Sequence, residues 1–199
     1  MQYQFNGVNY VFTNTQIFVA AAVLVVVVLF VVAAYLEHRK SKTLAFRKRY
    51  GAEYDRAVLD QGSVNKAETK LADRETRVEA LNISDLSLAK RERFVTEWHT
   101  VESRFVDHPK SAVSEADELV TALLEARGYP QANFEQRAAD VSVGYPLVMG
   151  NYRQAHSVAD RPGRVEATTE ELRAAMIQYR TLFDELIQVQ RPSEQRVAA

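Results

Sequence analysis

The chain has 199 residues, 47% of them hydrophobic, a formal net charge of −1 and no cysteine. The lack of cysteine excludes disulfides, thiolate metal sites and cysteine nucleophiles. Every charged residue lies after position 36.

The N-terminus comes first. Tyr3, Phe5, Tyr10 and Phe12 alternate with polar residues, a pattern read either as aromatic anchors at a membrane interface or as a disordered tail. From Ile17 to Leu36 the chain uses only Ala, Val, Leu, Ile, Phe and one Tyr. At about 1.5 Å per residue, twenty such residues span about 30 Å, the thickness of a hydrocarbon core. Valine is a mediocre helix former in water, but in lipid an unpaired backbone costs more, so the helix is imposed. A secretory signal would carry bases ahead of its apolar run, whereas residues 1–16 hold neither Lys nor Arg, and Ala33-Ala34-Tyr35 is a poor cleavage site. The expectation is a short extracytoplasmic N-terminus over 1–16 and an uncleaved transmembrane helix over 17–36.

Six bases follow at once: Arg39, Lys40, Lys42, Arg47, Lys48 and Arg49, against the single Glu37. The positive-inside rule places residues 37 onward in the cytoplasm. The same strip admits a second reading as a contact for lipid headgroups, at about 1 kcal/mol per base near an anionic leaflet. Residues 50–199 are left with a net charge of −6, which argues against a nucleic-acid module with its basic face.

Residues 37–82 are expected to form this basic strip and a charged stalk helix, broken by Gly51 and by Gln61-Gly62-Ser63. From Val64 the positions Val64, Ala67, Leu71, Arg74, Val78 and Leu81 trace a narrow heptad stripe, interrupted by the charged Arg74. One reading is a short coiled coil that pairs two anchored chains as a homodimer through the stalk. The other is a connector helix lying along the domain.

A bundle domain of four to five helices is expected over 83–188, and a flexible tail over 189–199. Ser87 is placed to cap a helix with Phe94, Trp98, Val101 and Phe105 on one face. Pro109 opens a second, with Val113, Ala116, Val120, Leu123 and Leu124 inward, ended by Gly128 in a left-handed cap. A short helix around "NFEQRAADVS" follows, then a fourth carrying Leu147, Val148, Tyr152 and Ala155. Asp160 to Gly163 reads as a turn. Thr168 and Glu171 fit a capping box opening a last helix with Leu172, Ala175, Met176, Tyr179, Leu182, Phe183 and Leu186 on one face. The fold class is therefore all-α: a membrane helix, a charged connector helix and a helical bundle.

No motif for nucleotide binding, a serine nucleophile or zinc ligation occurs, and His38, His99, His108 and His156 are far apart. No catalytic residue, metal or cofactor is therefore assigned. The segment from Arg127 to His156 is the densest in polar groups. Arg127, Glu135, Arg137, Asp140, Arg153 and His156 form its candidate polar site. Either they line a pocket, with His156 as acid or base and Arg137 or Arg153 gripping an anion, or they pair to lock short helices together. Gly128-Tyr129-Pro130 and Gly144-Tyr145-Pro146 bracket the short helix as stiff corners, each with its tyrosine packed back on the bundle.

The stretches "RGYP", "FEQRAADVSV", "NYRQAH" and "TEELRAAMIQYRTLFDEL" resemble a widespread family of uncharacterised bacterial proteins. Its members are small and helical, with an N-terminal hydrophobic segment and a charged connector. The resemblance covers about Tyr50 to Leu186 and implies a shared fold, but it brings no activity. Family members often carry an acidic–His pair ahead of the proline where this chain has Gly144-Tyr145; its loss here counts against catalysis. Together these readings point to a single-pass protein of a bacterial inner membrane, N-terminus outside, whose cytoplasmic bundle docks a protein partner as a scaffold. The alternatives are an enzyme using residues 127–156 and an envelope protein on the far side of the membrane.

Overall fold

The computed structural model describes residues 2–5, 8–11, 14–161 and 167–188. The chain divides into two units, Met1–Ala45 and Phe46–Ala199. In the first, strands β1 (Gln2–Phe5) and β2 (Val8–Val11) pair antiparallel, with Tyr3 opposite Tyr10 and Phe5 opposite Val8. The period-two alternation at the N-terminus therefore belongs to a hairpin; Phe12 lies outside the described residues. Helix α1 (Asn14–Tyr50) follows. It is the one helix among the described residues long and apolar enough to cross a membrane, and its apolar window is wholly unburied by protein.

The second unit is all-α. Helices α2 (Ala52–Gln61) and α3 (Val64–Glu79) form a hairpin about Gly62, whose φ of 64° closes the end of α2. Tyr50, Tyr54, Ala57, Ala67 and Leu71 make a small core between them. Both tyrosine hydroxyls donate to carboxylates of α3, Tyr50 to Glu75 at 2.8 Å and Tyr54 to Glu68 at 3.2 Å. Burial first, and these carboxylates second, push both phenols above their ordinary range.

Of the two readings of α3, the structure has the connector helix that lies along the domain. The compact unit begins at Phe46 rather than near residue 83, and α3 packs along α6. The centre of the heptad stripe is filled within the chain: Ala67 and Leu71 are both fully buried against residues of α1 and α2, while Val64 stays exposed. In this arrangement Ala67 and Leu71 are taken up inside the chain and are not free as knobs for a second copy. Two bases of the strip are also engaged inside this unit, Arg47 with Asp55 at 3.0 Å and Arg49 with Glu75 at 2.7 Å.

The main core lies among α4 (Leu88–Arg104), α5 (Pro109–Ala126), α6 (Phe134–Gly144), α7 (Met149–Ala159) and α8 (Thr169–Ile187). Their starts follow the sequence signals. Ser87 accepts the Lys90 N–H, Asn133 accepts that of Gln136, and Thr168 and Glu171 complete a capping box. The expected inward faces of α4, α5 and α8 are buried, except that Phe105 is only partly so. Helix α8 is the central element, packed on α5 and α7, and Phe183 stacks on Trp98 with ring centroids 4.6 Å apart. Tyr129 and Tyr145 pack back on the bundle as expected.

One residue of the fourth helix departs from expectation. Pro146–Val148 form a 3-10 turn ahead of α7, which rotates Leu147 out to 84% exposure. Of the expected turn at 160–163, Pro162 and Gly163 lie outside the described residues, as does the tail 189–199.

Candidate functional site

The six polar residues singled out between Arg127 and His156 separate into three places. Arg127 is a buried bolt. Its Nη1 donates to the Tyr145 hydroxyl at 2.5 Å and the Leu186 carbonyl at 2.9 Å. Its Nε reaches the Ser84 carbonyl and its Nη2 the Asp85 carboxylate, both at 3.4 Å. One guanidinium thus ties the segment before α4 to the ends of α6 and α8, with only 3% of the residue exposed. That is a structural task, since an arginine buried without partners would cost several kcal/mol (about 3–5).

His156 and Arg137 meet around Phe134. The imidazole stacks on that ring at 3.6 Å between centroids and 10° between planes. Its Nδ1 lies 3.2 Å from Asp117 Oδ1, which also accepts the Tyr179 hydroxyl at 2.9 Å. Burial raises the Asp117 pKa, but the hydrogen bonds from His156 and Tyr179 outweigh it and hold the carboxyl below its ordinary range. Arg137 donates through Nε to the Tyr152 hydroxyl at 2.9 Å. Asp117 escaped the sequence reading, though a carboxylate on the Val113, Ala116, Val120 face of α5 was the available signal.

Glu135, Arg153 and Asp140 belong to the third place, a cleft of about 430 Å³ walled by α2, α3, α6 and α7. Arg153 reaches across it to the buried Glu53, with Nε–Oε1 at 3.2 Å and Nη2–Oε2 at 3.4 Å, and its Nη1 donates to Glu135 at 3.0 Å. Burial works to lower the Arg153 pKa, but Glu53 and then Glu135 more than compensate and hold it above its ordinary value. On the opposite wall Asp140, 1% exposed, is gripped by Arg77 and by the Gln136 amide. Asp140 anchors that wall without lining the cleft itself.

Sequence reasoning missed half of this cleft. Glu53, Arg56, Asp60, Lys70, Arg74 and Arg77 all lie in the region expected to be a stalk, so they were never joined to the 127–156 segment. The visible signal was Arg74, the charged residue in the apolar stripe of α3. The lining offers carboxylates, guanidinium groups, one ammonium and two amides, with no imidazole, hydroxyl or thiol among its residues. Glu135 and Arg153 face this cleft while His156 is bonded to Asp117, so His156 and the anion-gripping Arg153 do not share one pocket. Among the described residues, no group of three or more His, Asp and Glu side chains is arranged to hold a metal ion.

The chain matches no family model, and neither the curated proteins nor the solved structures contain a match to it.

Proposed function

We propose that this is a membrane-anchored binding module, a scaffold rather than a catalyst, whose helical domain recognises its partner through the cleft between α2, α3, α6 and α7. In this reading α1 crosses a bacterial inner membrane once, with the N-terminus outside. The basic residues Arg39 to Arg49 then mark the cytoplasmic side. The observation that carries the reading is the lining itself. It supplies converging charge and hydrogen-bonding groups in a volume suited to a recognition element, with no serine, threonine, cysteine or histidine among them.

The test is mild crosslinking in native membranes followed by capture of the full chain. Wild type is compared with a rim variant, Arg56→Glu with Lys70→Glu, two exposed positions whose reversal leaves the core untouched. A species that accompanies wild type and is lost from the rim variant supports the cleft as the recognition surface. Equal recovery from both, or none from either, overturns it.

A further inference from the structure

We infer that the cleft takes a compact phosphate group, with Arg74 as its principal ligand; this rests on the binding reading above and names what the cleft binds. Arg74 projects from α3 between Lys70 and Arg77, at spacings of four and three residues that place all three along one helix face, and all three line the cleft. Each neighbouring arginine is neutralised by the protein's own carboxylates. Arg77 is held by Asp140, Arg153 by Glu53 and Glu135, and Arg56 lies within ion-pair range of Asp60 and Glu135. Arg74 differs. Only half-exposed, it makes no hydrogen bond or ion pair among the described residues, and Glu53 is the main charge that attracts it. Burial lowers its pKa, and the positive charges of Arg153 and Arg77 lower it further against the pull of Glu53.

A partly buried guanidinium, crowded by like charges and paired with no carboxylate of the chain, keeps its nitrogens open to the cleft and is stabilised when an anion completes it. Its planar fork matches the oxygens of a phosphate or carboxylate. Two features favour phosphate. A phosphate monoester brings nearly two negative charges to Lys70 and Arg74, the two cations of this helix face that no carboxylate pairs among the described residues, whereas single carboxylates are already supplied by the chain itself. The acidic residues Asp60, Asp73 and Glu135 also line the cleft, and they repel an extended polyanion while leaving room for one small group. A polar residue in the apolar stripe of α3, otherwise a cost without a return, has a reason in this arrangement. The group could arrive on a soluble phosphate ester or on a phospholipid headgroup.

The experiment titrates the full-length protein in dodecyl maltoside micelles with three probes: inorganic pyrophosphate, dihexanoyl phosphatidic acid and hexaglutamate. The variants are Arg74→Gln and, at the exposed rim, Lys70→Gln. Binding of either phosphate probe, weakened at least about tenfold by Arg74→Gln and less by Lys70→Gln, is the expected result. Pyrophosphate alone would identify a soluble ester, and phosphatidic acid alone a headgroup. Without any probe, Arg74→Gln should melt at or above the wild-type temperature, because an uncompensated charge has been removed. Absence of binding by both phosphate probes overturns the inference, as does binding that Arg74→Gln leaves unchanged. A clear fall in the melting temperature of probe-free Arg74→Gln would assign the residue a structural role and overturn it too. Hexaglutamate binding in place of both phosphate probes would reject phosphate while leaving the cleft a recognition surface.

Discussion

Arg153 on α7 grips Glu53 on α2 with two of its nitrogens, across 100 residues of sequence. The pair is 11% and 5% exposed at its side chains, so it joins the α2–α3 hairpin to the bundle from inside rather than at the surface. Glu53→Ala leaves a buried guanidinium with only the exposed Glu135, and the expected loss is about 3 kcal/mol. Replacing both partners by methionine should cost much less, since no charge is then stranded. Urea unfolding of the full chain in detergent measures this through the single tryptophan, Trp98, which is 1% exposed in the main core. An unchanged Trp98 midpoint in Glu53→Ala would mean the hairpin is energetically separate from the bundle.

Gly128 and Gly62 both hold positive φ, 103° and 64°, but only one is crowded. A Cβ at Gly128 would sit 2.5 Å from the Asn82 carbonyl oxygen, whereas at Gly62 it meets nothing within 4 Å. Gly62→Ala therefore carries only the left-handed backbone penalty, about 1 kcal/mol. Gly128→Ala adds a clash with backbone beside the Ser84 N–H to Arg127 carbonyl bond, for a total of about 2–4 kcal/mol. Equal losses at the two sites would show that the segment before α4 yields without strain.

These residues also show what could be read ahead of the structure. The caps at Ser87 and Thr168, the Gly128 stop and the inward face of α8 are local signals, written within a few residues of the elements they fix. The α2–α3 hairpin was illegible for the opposite reason. Its core is built from two tyrosines and two alanines with one leucine, in a densely charged sequence, and Tyr50 finds its acceptor Glu75 25 residues away. The cleft inherits that difficulty, because Arg74 looks like a flaw in a stripe until α6 and α7 are placed opposite it. Leu147 fails for a third reason. One 3-10 turn after Pro146 changes the angle per residue and turns the side chain outward.

The Asp117 carboxyl sets a pH dependence. Its folded pKa lies below the ordinary value of 3.8, so between the two values the unfolded chain binds more protons than the folded one. The stabilisation is therefore complete above about pH 4 and is lost as the pH falls through the folded value. Asp117→Asn leaves the Tyr179 hydroxyl and His156 with a poorer acceptor, and a loss of about 1–3 kcal/mol is expected at pH 7. The difference from wild type should shrink as the pH is lowered from 4 toward 2, read from Trp98 melting curves. A difference independent of pH over that range would mean that the charge of Asp117 contributes nothing.

The last prediction concerns whether α3 pairs chains in the membrane. Leu71 is fully buried against the chain's own Tyr50 and Tyr54, and with Ala67 it takes the centre of the would-be coiled-coil seam into the chain's own core. The chain has no native cysteine, so Leu71→Cys places a single thiol at the centre of that seam. In native membranes treated with a mild oxidant, Leu71→Cys should stay monomeric. Cysteine at the exposed Asn65 supplies the control for chance collisions. Leu71→Ala should also destabilise the hairpin by about 2–4 kcal/mol, the cost of a core cavity, because the packing it loses lies within one chain. Efficient disulfide formation at Leu71→Cys, above the Asn65→Cys background, would show that α3 leaves Tyr50 and Tyr54 and pairs with a second copy. Leu71→Ala would then lower dimer yield rather than monomer stability. The two variants thus separate a hairpin folded against its own domain from a seam shared between chains.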